Sequence, residues 1–191
     1  MDRDRIVRHG GDRGRHAPAP RIALAGYMGA GKSTIGRRIA EKLDVPFLDL
    51  DDRLTRKFGS IPDIFAREGE GAFRAYESVE IGQIVAETTG GGVIALGGGA
   101  VLERRNLDAF RNSGWRLVFL RAPLWLLWNR VAPGAVIRPL ALGGREEFVQ
   151  RYRRRLPTYR SLDTIVDAYP GSPEEVADRV CAAIPGGRRG D

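Results

Sequence analysis

Eight residues constrain this chain more than any others: Gly26-Tyr27-Met28-Gly29-Ala30-Gly31-Lys32-Ser33. They fit G-x-x-x-x-G-K-[ST] at every fixed position, between an apolar run, Arg21 to Ala25, and a helical stretch from Lys32 to about Leu43. Glycine lets the backbone reverse and come close to an anion with successive N–H groups turned inward. The following helix adds the positive end of its dipole. A loop of this kind cradles the phosphates of a nucleotide, here assigned as ATP, through Gly29, Ala30, Gly31, Lys32, Ser33 and Thr34. In that role Lys32 reaches the β- and γ-phosphates, and the Ser33 hydroxyl ligates Mg²⁺. The motif specifies a nucleotide, not what is done with it.

The rest of the chain alternates short apolar runs with helical stretches, the pattern of a parallel sheet covered on both faces. Strands are expected at Arg21 to Ala25, Pro46 to Asp49, Val93 to Leu96, Trp115 to Leu120 and Thr164 to Val166. Helices are expected after the loop, near Asp51, from Ser60 to about Arg67, and from about Gly71 to Glu87. Further helices are expected over Arg104 to Asn112, Pro123 to Val131, Arg145 to Leu156, and after Ser172 as a cap. Residues 132–144 hold proline and three glycines without periodicity and read as a mobile lid. Residues 1–20 read as a disordered Arg/Gly/Pro-rich arm and 186–191 as a disordered tail, leaving one α/β domain over 21–185.

Composition excludes several chemistries. Cys181 is the sole cysteine, so no internal disulfide or cysteine-zinc cluster can form. His9 and His16 are the only histidines and both lie in the arm, which removes histidine-based triads and histidine-metal sites from the domain. The net charge of +7 raises the question of nucleic acid. All but Lys32, Lys42 and Lys57 of the 31 basic residues are arginines, spread along the chain without interleaved aromatics or a nucleic-acid motif. No specific nucleic-acid partner is expected. No apolar run approaches the roughly 18 residues of a membrane span. The charged, glycine-rich N-terminus does not read as a secretory signal, so the cytoplasm is the expected location; a monomer is expected.

Beyond the loop lie Leu48-Asp49-Leu50-Asp51, Asp63-Ile64-Phe65, Phe73-Arg74 with Glu77, Gly97-Gly98-Gly99-Ala100, Arg138-Pro139-Leu140, and Arg155-Leu156-Pro157-Thr158-Tyr159. In this order and spacing the chain resembles the shikimate kinases, of the nucleoside-monophosphate-kinase-like P-loop family, over about residues 21–184. The resemblance implies a three-layer α/β/α P-loop kinase fold with a five-stranded parallel sheet and a mobile lid. It implies Mg²⁺-dependent transfer of the ATP γ-phosphoryl group to the 3-hydroxyl of shikimate, a step toward chorismate and the aromatic amino acids.

By the same resemblance Asp49 serves the Mg²⁺ shell with Ser33, and Asp51 grips the acceptor hydroxyls, either as a base or as a positioner. Two residues apart at a strand end, both can face the crevice above the sheet. A helix cap supplied by Asp51 or Asp52 is the plainer alternative. Arg74 and Arg155 fall on the acceptor's carboxylate, which two guanidinium forks suit. Glu77, one turn from Arg74, is placed to hold its guanidinium. Phe65 and Phe73 wall the acceptor pocket. Gly97, Gly98 and Gly99 contact acceptor and γ-phosphate, although a simple turn also explains a glycine triplet. Arg138 swings from the lid onto the γ-phosphate as a catalytic residue beside Lys32 and Asp51, and Arg130 packs on adenine.

The lid departs from the family in its apolar run Val131 to Ile137, and Ala141 and Thr158 each replace a usual leucine. These departures touch lid dynamics and ATP affinity rather than reaction type. Two other readings stay open at this point. One is another small-metabolite P-loop kinase, such as a gluconate kinase; the other is a non-catalytic kinase-like ligand sensor.

Overall fold

The structure, a computed structural model, describes residues 19–131 and 144–184. Residues 1–18, 132–143 and 185–191 lie outside the described residues, and with them most of the expected arm, the expected lid with Arg138 and the expected tail. Five strands form one parallel sheet: β1 (Arg21–Ala25), β2 (Phe47–Asp49), β3 (Gly92–Ala95), β4 (Arg116–Arg121) and β5 (Thr164–Asp167). Their spatial order is β2-β3-β1-β4-β5. The sheet order therefore runs outward in both directions from β1, which pairs β3 on one side and β4 on the other. In an open α/β sheet, that reversal opens a crevice at the carboxyl ends of the strands, where ligands bind.

Among the described residues, seven helices flank the sheet: α1 (Lys32–Leu43), α2 (Leu50–Phe58), α3 (Ile61–Glu87), α4 (Arg104–Asn112), α5 (Leu124–Val131), α6 (Gly144–Arg160) and α7 (Pro173–Ala183). Helix α1 packs against α7, and α3 against both α2 and α4. Ile22, Ala23, Leu24 and Ala25 are fully buried, as a central strand covered on both faces requires.

The two helices expected on either side of Gly71 are both present within Ile61–Glu87: they meet at Gly69, whose non-helical φ of 82° and ψ of 172° are essentially reserved for glycine. The end of α6 and the cap of α2 differ from the sequence reading, each for a local reason. Helix α6 continues through Pro157 to Arg160 instead of stopping at Leu156. The hydrogen bond that proline removes is offset nearby: Tyr159 stacks on Phe119 at 5.0 Å, and its hydroxyl donates to the Gly98 carbonyl. The cap of α2 is Asp49, not Asp51 or Asp52: its Oδ1 accepts from the Asp51 and Asp52 N–H groups at 3.0 and 3.4 Å. Ser172 caps α7 as expected, in a reciprocal box with Glu175.

The pair α2 and α3, which carries Asp51, Arg74 and Glu77, is tied by a charge cluster. Glu80 is fully buried and accepts from Arg53 Nε at 2.8 Å and from Lys57. Phe58 stacks on Tyr76 beside it at 4.5 Å. A carboxylate with no solvent access is tolerable only when it is paired this closely. The cluster holds α2 in register with α3, and hence Asp51 in register with Arg74 and Glu77.

Candidate active site

The loop after β1 is held by backbone conformations that only glycine adopts easily. Gly26, Gly29 and Gly31 have φ of 155°, 82° and 87°. A Cβ on Gly26 would lie 2.9 Å from the Leu120 carbonyl oxygen, and one on Gly29 2.8 Å from that of Leu127. The loop therefore nests against the ends of β4 and α5. Helix α1 starts at Gly31 with no side-chain cap, so its first N–H groups are left for an anion. The Lys32 ammonium donates to the carbonyls of Gly26 at 3.0 Å and Tyr27 at 3.4 Å, folded over the loop.

A cleft of about 420 Å³ opens above this loop. Gly29, Gly31, Lys32, Ser33 and Thr34 line its floor, with Asp49 and Asp51 on one side. Arg130 closes the other side, where Ala168, Gly171 and Pro173 supply a small-residue wall. Arg130 is exposed and donates to the Gly29 carbonyl at 3.0 Å, so it is attached to the loop itself. Ala30 does not line the cleft: its side chain is fully buried and its N–H donates to the Tyr27 carbonyl at 3.1 Å.

Ser33 donates its hydroxyl proton to Asp49 Oδ2, while Asp49 Oδ1 caps α2. Among the described residues no group of three or more acidic, histidine or cysteine side chains converges on one point. One hydroxyl and one carboxylate oxygen, side by side at the phosphate loop, are hard donors. They suit Mg²⁺, which keeps several waters and takes its remaining ligands from phosphates rather than from a protein cage.

Asp51 joins this cleft to a second cluster. A Cβ on Gly97 would lie 3.0 Å from Asp51 Oδ1 and 2.6 Å from Glu77 Oε1, so the glycine makes room for both carboxylates. Arg74 donates to Glu77 Oε2 at 2.7 Å and to Glu70 Oε1 at 3.0 Å, and lies over the Phe73 ring at 5.1 Å. Its guanidinium occupies the space a Gly99 side chain would take. Arg155, only 6% exposed, donates to the Gly98 carbonyl at 3.2 Å. Two guanidinium groups thus meet on consecutive residues of one glycine run, in α-carbon terms under 4 Å apart. Phe65 and Phe73 lie together with ring centroids 5.0 Å apart; Phe73 is core and Phe65 partly buried.

The structure therefore brings together Lys32, Ser33, Asp49, Asp51, Arg74, Gly97, Gly98, Gly99 and Arg155. It sets Arg130 at the far wall, and Thr34, though it lines the cleft, is exposed. The sequence reading missed Tyr27, an unspecified position of the motif whose buried side chain reaches α6. It also missed Glu80, whose heptad-like position on α3 reads as one more surface acid.

Glu77 is fully buried, and its Oε1 has no hydrogen-bond partner among the described residues. Burial pushes its carboxyl up to about 7; Arg74 opposes this, Asp51 adds to it, and Arg155 opposes it. A carboxyl raised from 4.5 when folded favours the native state below pH 4.5, and that contribution is lost as pH rises toward 7. Urea unfolding at pH 5 and pH 8 checks this. The parent is expected to lose on the order of 2 kcal/mol more than Glu77→Gln between the two. Equal losses in both proteins would show that Glu77 stays ionised throughout.

The family model described as Shikimate kinase matches residues 28–185. A shikimate kinase of Thermobifida fusca is 39% identical over 170 residues, covering 87% of this chain and 95% of that protein. One of Streptococcus gordonii is 38% identical over 159 residues, covering 81% and 94%. Among solved structures, shikimate kinase from Acinetobacter baumannii in complex with shikimate superposes with a TM-score of 0.78 at 33% identity, covering 84% of this chain and 90% of that one. A gluconokinase from Sinorhizobium meliloti, at 23% identity and a TM-score of 0.58, shares the fold.

Proposed function

This chain belongs to the shikimate kinase family, and on that footing we propose that it transfers the γ-phosphoryl group of ATP to the 3-hydroxyl of shikimate, giving shikimate 3-phosphate and ADP. The observation that carries the reading is the position of Asp51. Its carboxylate lies beside Gly97, with the phosphate loop on one side and the Arg74–Arg155 pair on the other. Phosphoryl transfer needs little covalent chemistry from the protein and depends on alignment and charge stabilisation.

In this reading the loop's N–H groups and the Lys32 ammonium hold the β- and γ-phosphates. Ser33 and Asp49 would hold Mg²⁺, which when bound neutralises charge on the phosphate oxygens. Arg74 and Arg155 grip the acceptor's carboxylate through paired N–H···O bonds and so fix the ring's orientation. Asp51 accepts a hydrogen bond from the 3-hydroxyl, keeping a lone pair directed at the γ-phosphorus and taking the proton as the bond forms. Gly97 to Gly99 line the passage between the two sites, Phe65 and Phe73 wall the acceptor side, and Arg130 flanks the base. Arg138 completes the charge around the γ-phosphate.

Two cationic forks support a hydroxylated carboxylic acid over a neutral sugar as acceptor. A coupled assay for ADP across shikimate, quinate and gluconate, with and without EDTA, tests the proposal. Release with shikimate, abolished by EDTA, is expected. Release with gluconate and none with shikimate overturns the acceptor assignment, and none with any acceptor overturns the enzymatic reading.

A further inference from the structure

Tyr27 occupies one of the four positions that the Gly26–Ser33 motif leaves unspecified, and phosphate binding does not require an aromatic ring there. Its side chain is fully buried and does not line the nucleotide cleft. It is turned into α6 instead. The phenol donates to the Phe148 carbonyl at 2.9 Å, and the ring meets Phe148 and Tyr152 edge-on at centroid distances of 4.8 and 5.3 Å. The Arg155 guanidinium carbon lies 5.7 Å from the Tyr27 ring centroid. The other end of the same residue, its carbonyl, accepts from Lys32 Nζ at 3.4 Å and from the Ala30 N–H at 3.1 Å.

We infer that Tyr27 is a positioning residue that couples the two substrate sites, passing nucleotide occupancy at Lys32 to the pose of Arg155. Phosphate oxygens compete with the Tyr27 carbonyl for the Lys32 protons, so nucleotide binding acts directly on the Tyr27 backbone. Close-packed interiors transmit such shifts rather than absorbing them. The ring moves with its neighbours on α6 and carries the guanidinium resting on its face. Arg155 donates to Gly98, so its pose also sets that of the glycine run. Nucleotide and acceptor then strengthen each other's binding by the same factor, as linkage requires. The inference rests on the proposed assignment of Lys32 to phosphate and Arg155 to the acceptor's carboxylate.

Calorimetric titration with shikimate, alone and in the presence of saturating MgADP, measures the factor by which nucleotide tightens acceptor binding. The parent is expected to fall in the range of about 5- to 150-fold typical of coupled sites. Tyr27→Leu, which removes ring and hydroxyl, is expected to bring the factor to within about twofold of unity. Tyr27→Phe keeps the ring beneath Arg155 and is expected to fall between. A folded Tyr27→Leu with the parent's factor overturns the inference, even if both affinities are weaker, since uniform weakening marks a merely structural role. If the leucine variant does not fold, Tyr27→Phe decides, and an unchanged factor there overturns it. A parent that binds both ligands without coupling defeats the inference alone. A parent that binds MgADP but no shikimate defeats the proposed function and the inference together.

Discussion

Asp51→Asn is expected to lower kcat by about 10³-fold while leaving ATP binding within about twofold of the parent. The substitution keeps side-chain size and removes only the charge and the ability to take a proton. It spares the start of α2, because Asp51 takes part in the cap through its backbone N–H, which donates to Asp49 at 3.0 Å. Fold and nucleotide site should therefore survive, and the loss should fall on turnover. Steady-state ADP release, with MgADP affinity by calorimetry, separates the two. A variant with more than about a tenth of parental kcat would show that neither the charge nor the proton acceptor at this position matters much to the step.

The second large effect is expected at the acceptor clamp. Arg74→Lys should raise the KM for shikimate by about 10²-fold, with the KM for ATP unchanged. Lysine keeps a positive charge within reach of Glu77, so the buried carboxyl is not left without its partner, and the fold is protected. What disappears is the planar fork, with its second parallel hydrogen bond and its contact over the Phe73 ring. Varying each substrate separately is the check. A rise in the KM for ATP of similar size would place Arg74 outside the acceptor site, and an unchanged KM for shikimate would remove it from the clamp.

Much of this was readable from residue type and spacing, for reasons that differ along the chain. The phosphate loop was legible because backbone geometry dictates its glycines: positive φ at Gly26 and Gly31, the motif's two fixed glycines, leaves few alternatives. The sheet was legible because strands buried on both faces must be short, apolar and separated by helices. The residues proposed for the acceptor were legible only through resemblance, since one arginine among so many carries no local signal. What escaped depended on contacts between distant segments. Helix α6 passes Pro157 because Tyr159 finds Gly98, 61 residues away. Tyr27 reaches α6 across 121 residues, and a motif that leaves its position unspecified cannot announce this. The α2 cap fell to Asp49 because a residue at a strand end can use one carboxylate oxygen for the helix and still offer the other to Ser33. The pattern Asp-x-Asp-Asp fits either assignment.

That division of labour within Asp49 makes it a ruler. One oxygen touches the first turn of α1, on the side proposed for the donor; the other sets the first turn of α2, from which Asp51 faces the side proposed for the acceptor. The gap between the proposed sites of the group that gives the phosphoryl and the group that receives it is therefore spanned by a single carboxylate. Lengthening or shortening that side chain would shift the two halves of the reaction centre against each other. Affinity at the phosphate end and alignment at the hydroxyl end are thus not independently adjustable at this position, and any lineage that retunes one must compensate for the other elsewhere in the fold.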